Sequence, residues 1–334
     1  MATLPNKDFI NLQSVKVNMY FRKKTYVVFC LIALVGFTSF YSFQQNATDG
    51  SDIVLLPDLP AVPYNYSHQP LPGYFYLATV SDQENTPDAN KISDWGATLG
   101  RVLFYDKALS INNGISCAGC HKQELSFSDD KAMSAGFAGG STKRNSMPLV
   151  NVRYYAFGRF FWDQRAPTLE HLSLKPVQDN IEMGMRLDSL EARIKQKDYY
   201  PGLFKKAFGT PLIDRKRIAE ALAQFVSSIV SYRSKFDSGR AAIATSQDPF
   251  QTPYRNFTTL ENQGKKLFFS ARLACGACHG TETFTAPAPR NNGIENPSVD
   301  EGIGAIDNIQ QEIGDFKYPS LKNIELTAPY MHDG

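Results

Sequence analysis

Four of the five cysteines fall in two pairs, and each pair is followed at once by histidine: Cys117-Ala-Gly-Cys120-His121 and Cys275-Gly-Ala-Cys278-His279. Two thiols three positions apart can form thioethers to the two vinyl groups of one haem, and the next residue then brings an imidazole to the iron. Zinc sites and redox dithiols also use Cys-x-x-Cys pairs, but neither accounts for a histidine directly after both. Two covalent c-type haems are therefore expected, with His121 and His279 as iron ligands. The four cysteines are then consumed as thioethers, so no disulfide framework is inferred. Cys30, the fifth, has no small residue before it and is not expected to carry a lipid.

These motifs need elements to hold them. Apolar residues recur three and four apart in ANKISDWGATLGRVLFYD, in the stretch 186–207, in the run from Asp214 to Gly239 and in TTLENQGKKLFFSARL from Thr258, so helices are expected there. Asp214 reads as an N-cap, and the helix it starts is expected to end near Gly239. Strand-like alternation is scarce. Long Gly- and Pro-containing loops, 134–148 and 280–305, separate the helices, as when a chain wraps a cofactor. Five prolines between 51 and 75 predict an extended linker strapped along the surface and bar a helix. The contexts GRVLFYDKALSINNGISCAGCH and GKKLFFSARLACGACH share Gly-x-x-Leu-Phe upstream of the cysteines, which points to duplication of one haem-binding unit.

Length bounds the rest: 334 residues suit roughly two domains. A hydrophobic fraction of 43% excludes disordered and collagen-like classes. Five of the 35 basic side chains but one of the 33 acidic ones lie in residues 1–43, so the body is slightly acidic and no nucleic-acid partner is expected. Thr25 to Phe43 is an uncharged run of nineteen residues directly after Arg22-Lys23-Lys24, long enough to span a bilayer core. It reads as an export signal or an uncleaved membrane anchor, with Met19 as an alternative start that leaves a short basic n-region. Covalent haem attachment takes place outside the cytoplasmic membrane, so a periplasmic location is expected. The organisation is then a basic cytoplasmic N-region (1–24), the signal or anchor (25–43), a Pro-rich linker (44–88), a first haem domain (89–257) and a second (258–334).

Taken together, GRVLFYDKALS, RNSMPLVN at 144–151, FFWDQR at 160–165, LEHLSLKP at 169–176, EMG at 182–184 and YPSLKNIELTAPYMHDG at the end resemble the bacterial dihaem cytochrome c peroxidase family, which includes the dihaem enzyme that matures tryptophan tryptophylquinone. The resemblance covers about residues 92–334. It implies a mostly α fold of two cytochrome c-like domains, each binding one covalent haem between long irregular loops. The implied activity is reduction of hydrogen peroxide to water, with a small donor protein such as a cytochrome c or cupredoxin delivering electrons to the second haem, from which they pass to the first. Side-chain oxidation of the quinone-maturing type, or non-catalytic electron carriage, are the alternatives. Residue by residue, the resemblance implies that Glu182 is the acid-base group over the first haem, Trp162 the indole between the haems and Arg165 a propionate partner. It also implies a calcium ion held by Asn145 and the carbonyls of Thr327 and Pro329, and a homodimer.

Two departures stand out. The classical peroxidases cap the first haem with a loop histidine, but no histidine occurs between His121 and His171. The first haem is therefore expected to be open even when fully oxidised, with Met133 or Met147 as the alternative caps. Leu172 stands at the family's distal glutamine, and the adjacent His171 reads as a surface residue. The distal ligand of the second haem lies, in the family, past PYMHDG, where this sequence stops. Either Met331 takes that role or the sequence is a fragment. His68 and His332 read as structural.

Overall fold

Ser93 ends an extended approach and turns its side chain onto the backbone N–H of Gly96, which starts the helix that the rest of the first half packs around. The computed structural model describes residues 57–285 and 288–334. The expected N-region and its apolar run 25–43 lie outside the described residues; among those described, no helix is long and apolar enough to cross a membrane. Val62–Gly334 forms one unit, distinct from Met1–Ala61.

In chain order this unit carries α1 (Ala78–Ser81), α2 (Asp94–Tyr105), α3 (Cys117–Cys120), α4 (Leu169–Gln178), α5 (Leu187–Lys195) and α6 (Tyr200–Phe208). It continues with α7 (Arg215–Ser227), α8 (Lys235–Ala241), α9 (Thr259–Phe268), α10 (Gly276–His279) and α11 (Gly304–Asp307). Among the described residues β pairing is confined to isolated bridges. The fold is mostly α, as expected; among the described residues the loop 134–148 contains no helix, and the expected loop 280–305 runs into α11 at Gly304.

α2 packs most closely on α7. The approach needs glycine: a Cβ on Gly100 would lie 1.9 Å from the carbonyl oxygen of Ala221. Around this crossing Leu99, Leu103, Ile218 and Leu222 are buried, and Phe104 meets Phe225 edge-to-face at 5.2 Å. Asp214 caps α7 as expected, accepting from the N–H of Arg217. Thr258 and Glu261 form a reciprocal capping box on α9.

Two expectations are corrected. The helix from Asp214 stops at Ser227, and Gly239 lies inside a separate helix, α8, capped by Ser234 and Asp237. The backbone between them is claimed by side chains and loops from elsewhere: Gln69 Nε2 donates to the Ser228 carbonyl, the Asn151 N–H donates to the Ile229 carbonyl, and the Ser231 N–H donates to Asn151 Oδ1. The Pro-rich segment is not confined to the surface. Its end forms a 3-10 turn over Gly73–Tyr76, and Tyr66, Tyr74 and Phe75 are buried, the last two in a cluster with Val80, Tyr154 and Tyr232. Aromatic side chains between prolines supply the apolar area that holds the strap down.

The Gly100 contact and the open position of Gly264, whose Cβ would meet nothing within 4 Å, give opposite expectations for one substitution. Gly100→Ala is expected to destabilise the haem-loaded protein by about 1–3 kcal/mol through overpacking, and Gly264→Ala to stabilise it by about 0.5–1 kcal/mol through helix propensity. Denaturant unfolding of both variants checks this, and equal effects would contradict the packing described.

Candidate haem sites and the cavity between Glu182 and His121

Cys117 and Cys120 bracket the single turn of α3, and the N–H of His121 closes on the Cys117 carbonyl at 2.9 Å. The imidazole Nδ1 then lies 2.9 Å from the carbonyl oxygen of Phe127. That carbonyl turns back because Ser126 and Phe127 both adopt left-handed backbone, at φ 58° and 60°. The second motif repeats the device. The N–H of His279 bonds the Cys275 carbonyl at 3.0 Å, its Nδ1 lies 3.2 Å from the Phe284 carbonyl, and Phe284 has φ 56°. Each phenylalanine is braced by the Phe of the upstream Gly-x-x-Leu-Phe, Phe104 on Phe127 at 6.0 Å and Phe268 on Phe284 at 6.1 Å, both edge-to-face.

An Nδ1–H committed to a carbonyl leaves Nε2 as the free lone pair, the tautomer an iron ligand needs. Burial pushes both imidazoles below their ordinary pKa, which keeps them neutral. Burial also pushes the thiols up, Cys117 to about 12 and Cys120 to about 11, the reverse of the lowered thiol of a redox pair. Among the described residues no three His, Cys, Asp or Glu side chains converge as a metal cluster of the kind a structural zinc site uses.

Beside His121 opens a cavity of about 760 Å³, lined among others by Met147, Trp162, Arg165, Glu182 and Lys317. This volume is in the range of cofactor sites. Asp179 Oδ1 accepts from the N–H groups of Ile181 and Glu182, and the Glu182 carbonyl accepts from Phe137 N–H, so the main chain at Glu182 is fixed on both sides. Burial, helped by the charge of Asp179 and opposed by Arg165, raises the Glu182 carboxyl to about 7. Its charge adds to the upward shift of the Cys117 and Cys120 thiols.

Trp162, 7% exposed, is gripped from both halves. Its Nε1 donates to the Asn145 carbonyl at 2.9 Å, and its own carbonyl accepts from Lys317 N–H at 2.8 Å. Tyr318, the next residue, lies against His279 with ring centroids 5.6 Å apart. Residues 317–318 therefore form the seam between the two histidines, with Trp162 bonded to it.

A sequence model of the di-haem cytochrome c peroxidase family matches residues 95–242. The methylamine utilization protein MauG of Methylophilus methylotrophus is 32% identical over 255 residues, covering 76% of this chain and 72% of that protein. The chain belongs to the di-haem cytochrome c peroxidase family. The cytochrome c551 peroxidase of Nitrosomonas europaea is 30% identical over 244 residues, 71% of this chain and 68% of its own. A crystal structure of a MauG-like protein associated with microbial copper homeostasis superposes with a TM-score of 0.68 at 30% identity, over 80% of this chain and 78% of that one. The diheme peroxidase BthA from Burkholderia thailandensis shares the fold, with a TM-score of 0.58 at 22% identity over 73% and 69%. Membership implies two c-type haems, and the twin Cys-x-x-Cys-His turns with their carbonyl-oriented imidazoles fit them.

Against this family frame the remaining predicted residues fall unevenly. Arg165 lines the cavity, but its Nη1 reaches both oxygens of Asp163, at 2.8 and 3.0 Å, and its guanidinium lies 3.7 Å over Phe161. Arg144 is pinned by Asp163 and, through two bonds of 2.7 Å, by Asp300 of the second half. Asn145 Nδ2 donates to the carbonyls of Lys131 and Ala132, and its N–H donates to the His332 carbonyl at 2.7 Å, which brings it beside the segment holding Thr327 and the cis Ala328–Pro329 bond. Met331 is 46% exposed, and its sulfur accepts from Asn292 Nδ2. Met147 lines the cavity and Met133 does not. His171 is exposed on α4, while Leu172 beside it lines the cavity. His332 stacks on Phe316 at 3.8 Å.

Sequence reasoning missed three features. The Phe127 and Phe284 carbonyls carry no residue-type signal of their own, although a Phe followed by Ser or Thr stands six and five residues after each histidine. Lys317 was passed over directly before the matched segment that starts at Tyr318. Four buried charges were also missed: Lys322 pairs with Asp237, and Arg240 with Glu282. Glu282 lies within the loop between His279 and Phe284, so this network anchors the second histidine's carbonyl.

The raised Glu182 carboxyl has a consequence for stability. Between about pH 4.5 and about 7 the folded protein holds a proton that the unfolded chain has released, so unfolding free energy falls as pH rises through that window. The Glu182→Gln variant is expected to lack this fall; parallel curves for the two proteins over pH 4.5 to 7, measured by denaturant titration, would contradict the raised pKa.

Proposed function

We propose that the protein reduces hydrogen peroxide to water with electrons from a small redox protein, which enter at the haem of His279 and pass by Trp162 to the haem of His121. The haems supply the iron and carry the electrons. The overall step takes one peroxide, two electrons and two protons to two waters. The observation that carries this reading is Glu182: a half-buried carboxyl, held at about 7, lining the same cavity as the candidate iron ligand His121. A group poised near the working pH can take the proton from one peroxide oxygen and return it to the other, and this is the role assigned to Glu182. Arg165, Leu172 and Trp162 line the space beside it.

The supporting roles follow from placement. Trp162, bonded to Asn145 on one side and Lys317 on the other, holds an aromatic ring between the halves. The first haem lies in residues 89–257 and the second in 258–334. The absence of a loop histidine leaves the first haem reactive in the fully oxidised protein. Asn145 with the Thr327 and Pro329 carbonyls supplies hard oxygen donors for calcium at the junction. The N-terminal apolar run exports or anchors the protein, with the body in the periplasm as a homodimer. Oxidation of a protein side chain is the second reading, favoured by the missing loop histidine together with the 32% identity to MauG.

Turnover of peroxide with a reduced cytochrome c or cupredoxin as donor tests the proposal. Glu182→Gln is expected to lower kcat by about 10²–10⁴-fold, the usual contribution of one acid-base group, and to remove the limb of the pH profile near neutrality. Wild-type turnover in the variant, or no peroxide consumption with any donor alongside oxidation of a protein substrate, would overturn it.

A further inference from the structure

Burying an ammonium without an anion is costly, because desolvation removes more than soft neighbours return. Among the described residues three lysines are buried: Lys265, Lys317 and Lys322. Lys322 pairs with Asp237. Lys265 Nζ donates to the carbonyls of Pro249, Phe250 and Thr252 at 2.6 to 3.2 Å. Lys317, 4% exposed, has neither. Its Nζ meets Met147 Sδ at 3.8 Å and the face of the Tyr155 ring at 4.3 Å, and burial alone pulls its pKa down to about 8.

Lys317 lines the cavity beside His121. A desolvated cation on the wall of a cofactor-sized cavity, with no protein anion to meet, is matched by an anion on the occupant. The anions a haem carries are its propionate carboxylates. Arg165, the residue that the family resemblance assigns to a propionate, already has both oxygens of Asp163, and Arg144 has Asp163 and Asp300. Lys143, also on the lining, is exposed to solvent, so among the described residues Lys317 is the buried cavity cation without a carboxylate.

We propose that Lys317 is the buried counter-ion of a propionate on the haem in the first cavity. The assignment rests on the reading that this cavity holds a haem. It also gives Lys317 a positioning role, since its N–H bonds the Trp162 carbonyl and a propionate contact at Nζ fixes the same backbone that carries Trp162. A positive charge beside a haem favours the reduced state, so Lys317 raises the first haem's midpoint.

The test uses the full chain purified with its haems, as wild type, Lys317→Met and Lys317→Arg, with haem content measured before a spectroelectrochemical titration that resolves both midpoints. A wild-type content below two haems per chain is the failure of the haem reading itself, and it shows before any variant is compared. With two haems present, Lys317→Met is expected to shift the first midpoint downward and leave the second in place, while Lys317→Arg stays near wild type. Two unmoved midpoints in a folded, fully loaded Lys317→Met protein would overturn the assignment. Where the Met variant does not fold, resonance Raman of wild type and Lys317→Arg decides: the propionate bending band of the first haem shifts when guanidinium replaces ammonium, and an unshifted band overturns the proposal.

Discussion

An imidazole turns about its bond to Cβ unless its second nitrogen is engaged, and an iron ligand that turns is a poor ligand. In this chain the histidine of each Cys-x-x-Cys-His motif has Nδ1 committed to the carbonyl of a left-handed phenylalanine a few residues on, Phe127 for His121 and Phe284 for His279. A left-handed bulky residue is strained by itself and persists only where the surroundings over-determine it. Here they do so through a second phenylalanine. Phe104 and Phe268, both from the helix upstream of the cysteines, lie edge-on against those rings. The helix, the Cys-x-x-Cys-His turn and the loop after it are thus one mechanical unit, present twice, and the helix packing serves to hold a single hydrogen bond in each copy.

The two copies are braced differently. Around His121 the loop leans on α2 and α7 and on the half-buried Lys122, which pairs with the buried Asp129 and the exposed Asp130. Around His279 it leans on buried charges: Thr79 from α1 and Arg240 from α8 both reach Glu282, and Lys322 sits 5.3 Å over Phe284 while pairing with Asp237. Tyr74 adds a hydrogen bond to Asp237 from the strap. Breaking one partner of such a pair strands the other in low dielectric, so the second site depends on contacts far apart in sequence. The same interleaving sets the seam, where Lys317 reaches the first cavity and Tyr318 reaches His279.

Much of this was legible because it is local. The haem motifs, the N-cap at Asp214, the helices α2 and α9 and the duplication follow from residue type and spacing, and the structure bears out a mostly α fold. What was not legible depends on the far end of the chain. The helix from Asp214 has the pattern to continue, but Gln69 and Asn151 take its backbone groups after Ser227. The prolines of the strap forbid a long helix as expected, yet Tyr74 and Phe75 find a core that only the assembled fold provides. Main-chain acceptors such as the Phe127 carbonyl leave no trace in residue identity. Lys317 looks like any surface lysine until the cavity closes around it. Glu182 could be named from its segment, but its elevated carboxyl follows from burial beside Asp179, which the sequence does not print.

The central claim is that the haem of His121 meets peroxide directly, with Glu182 beside it and no reductive activation. Electron paramagnetic resonance of the fully oxidised, two-haem protein, before and after stoichiometric peroxide without any reductant, tests it most directly. The account predicts a high-spin ferric signal from the first haem that is lost on adding peroxide. Two low-spin signals that peroxide leaves unchanged would contradict it.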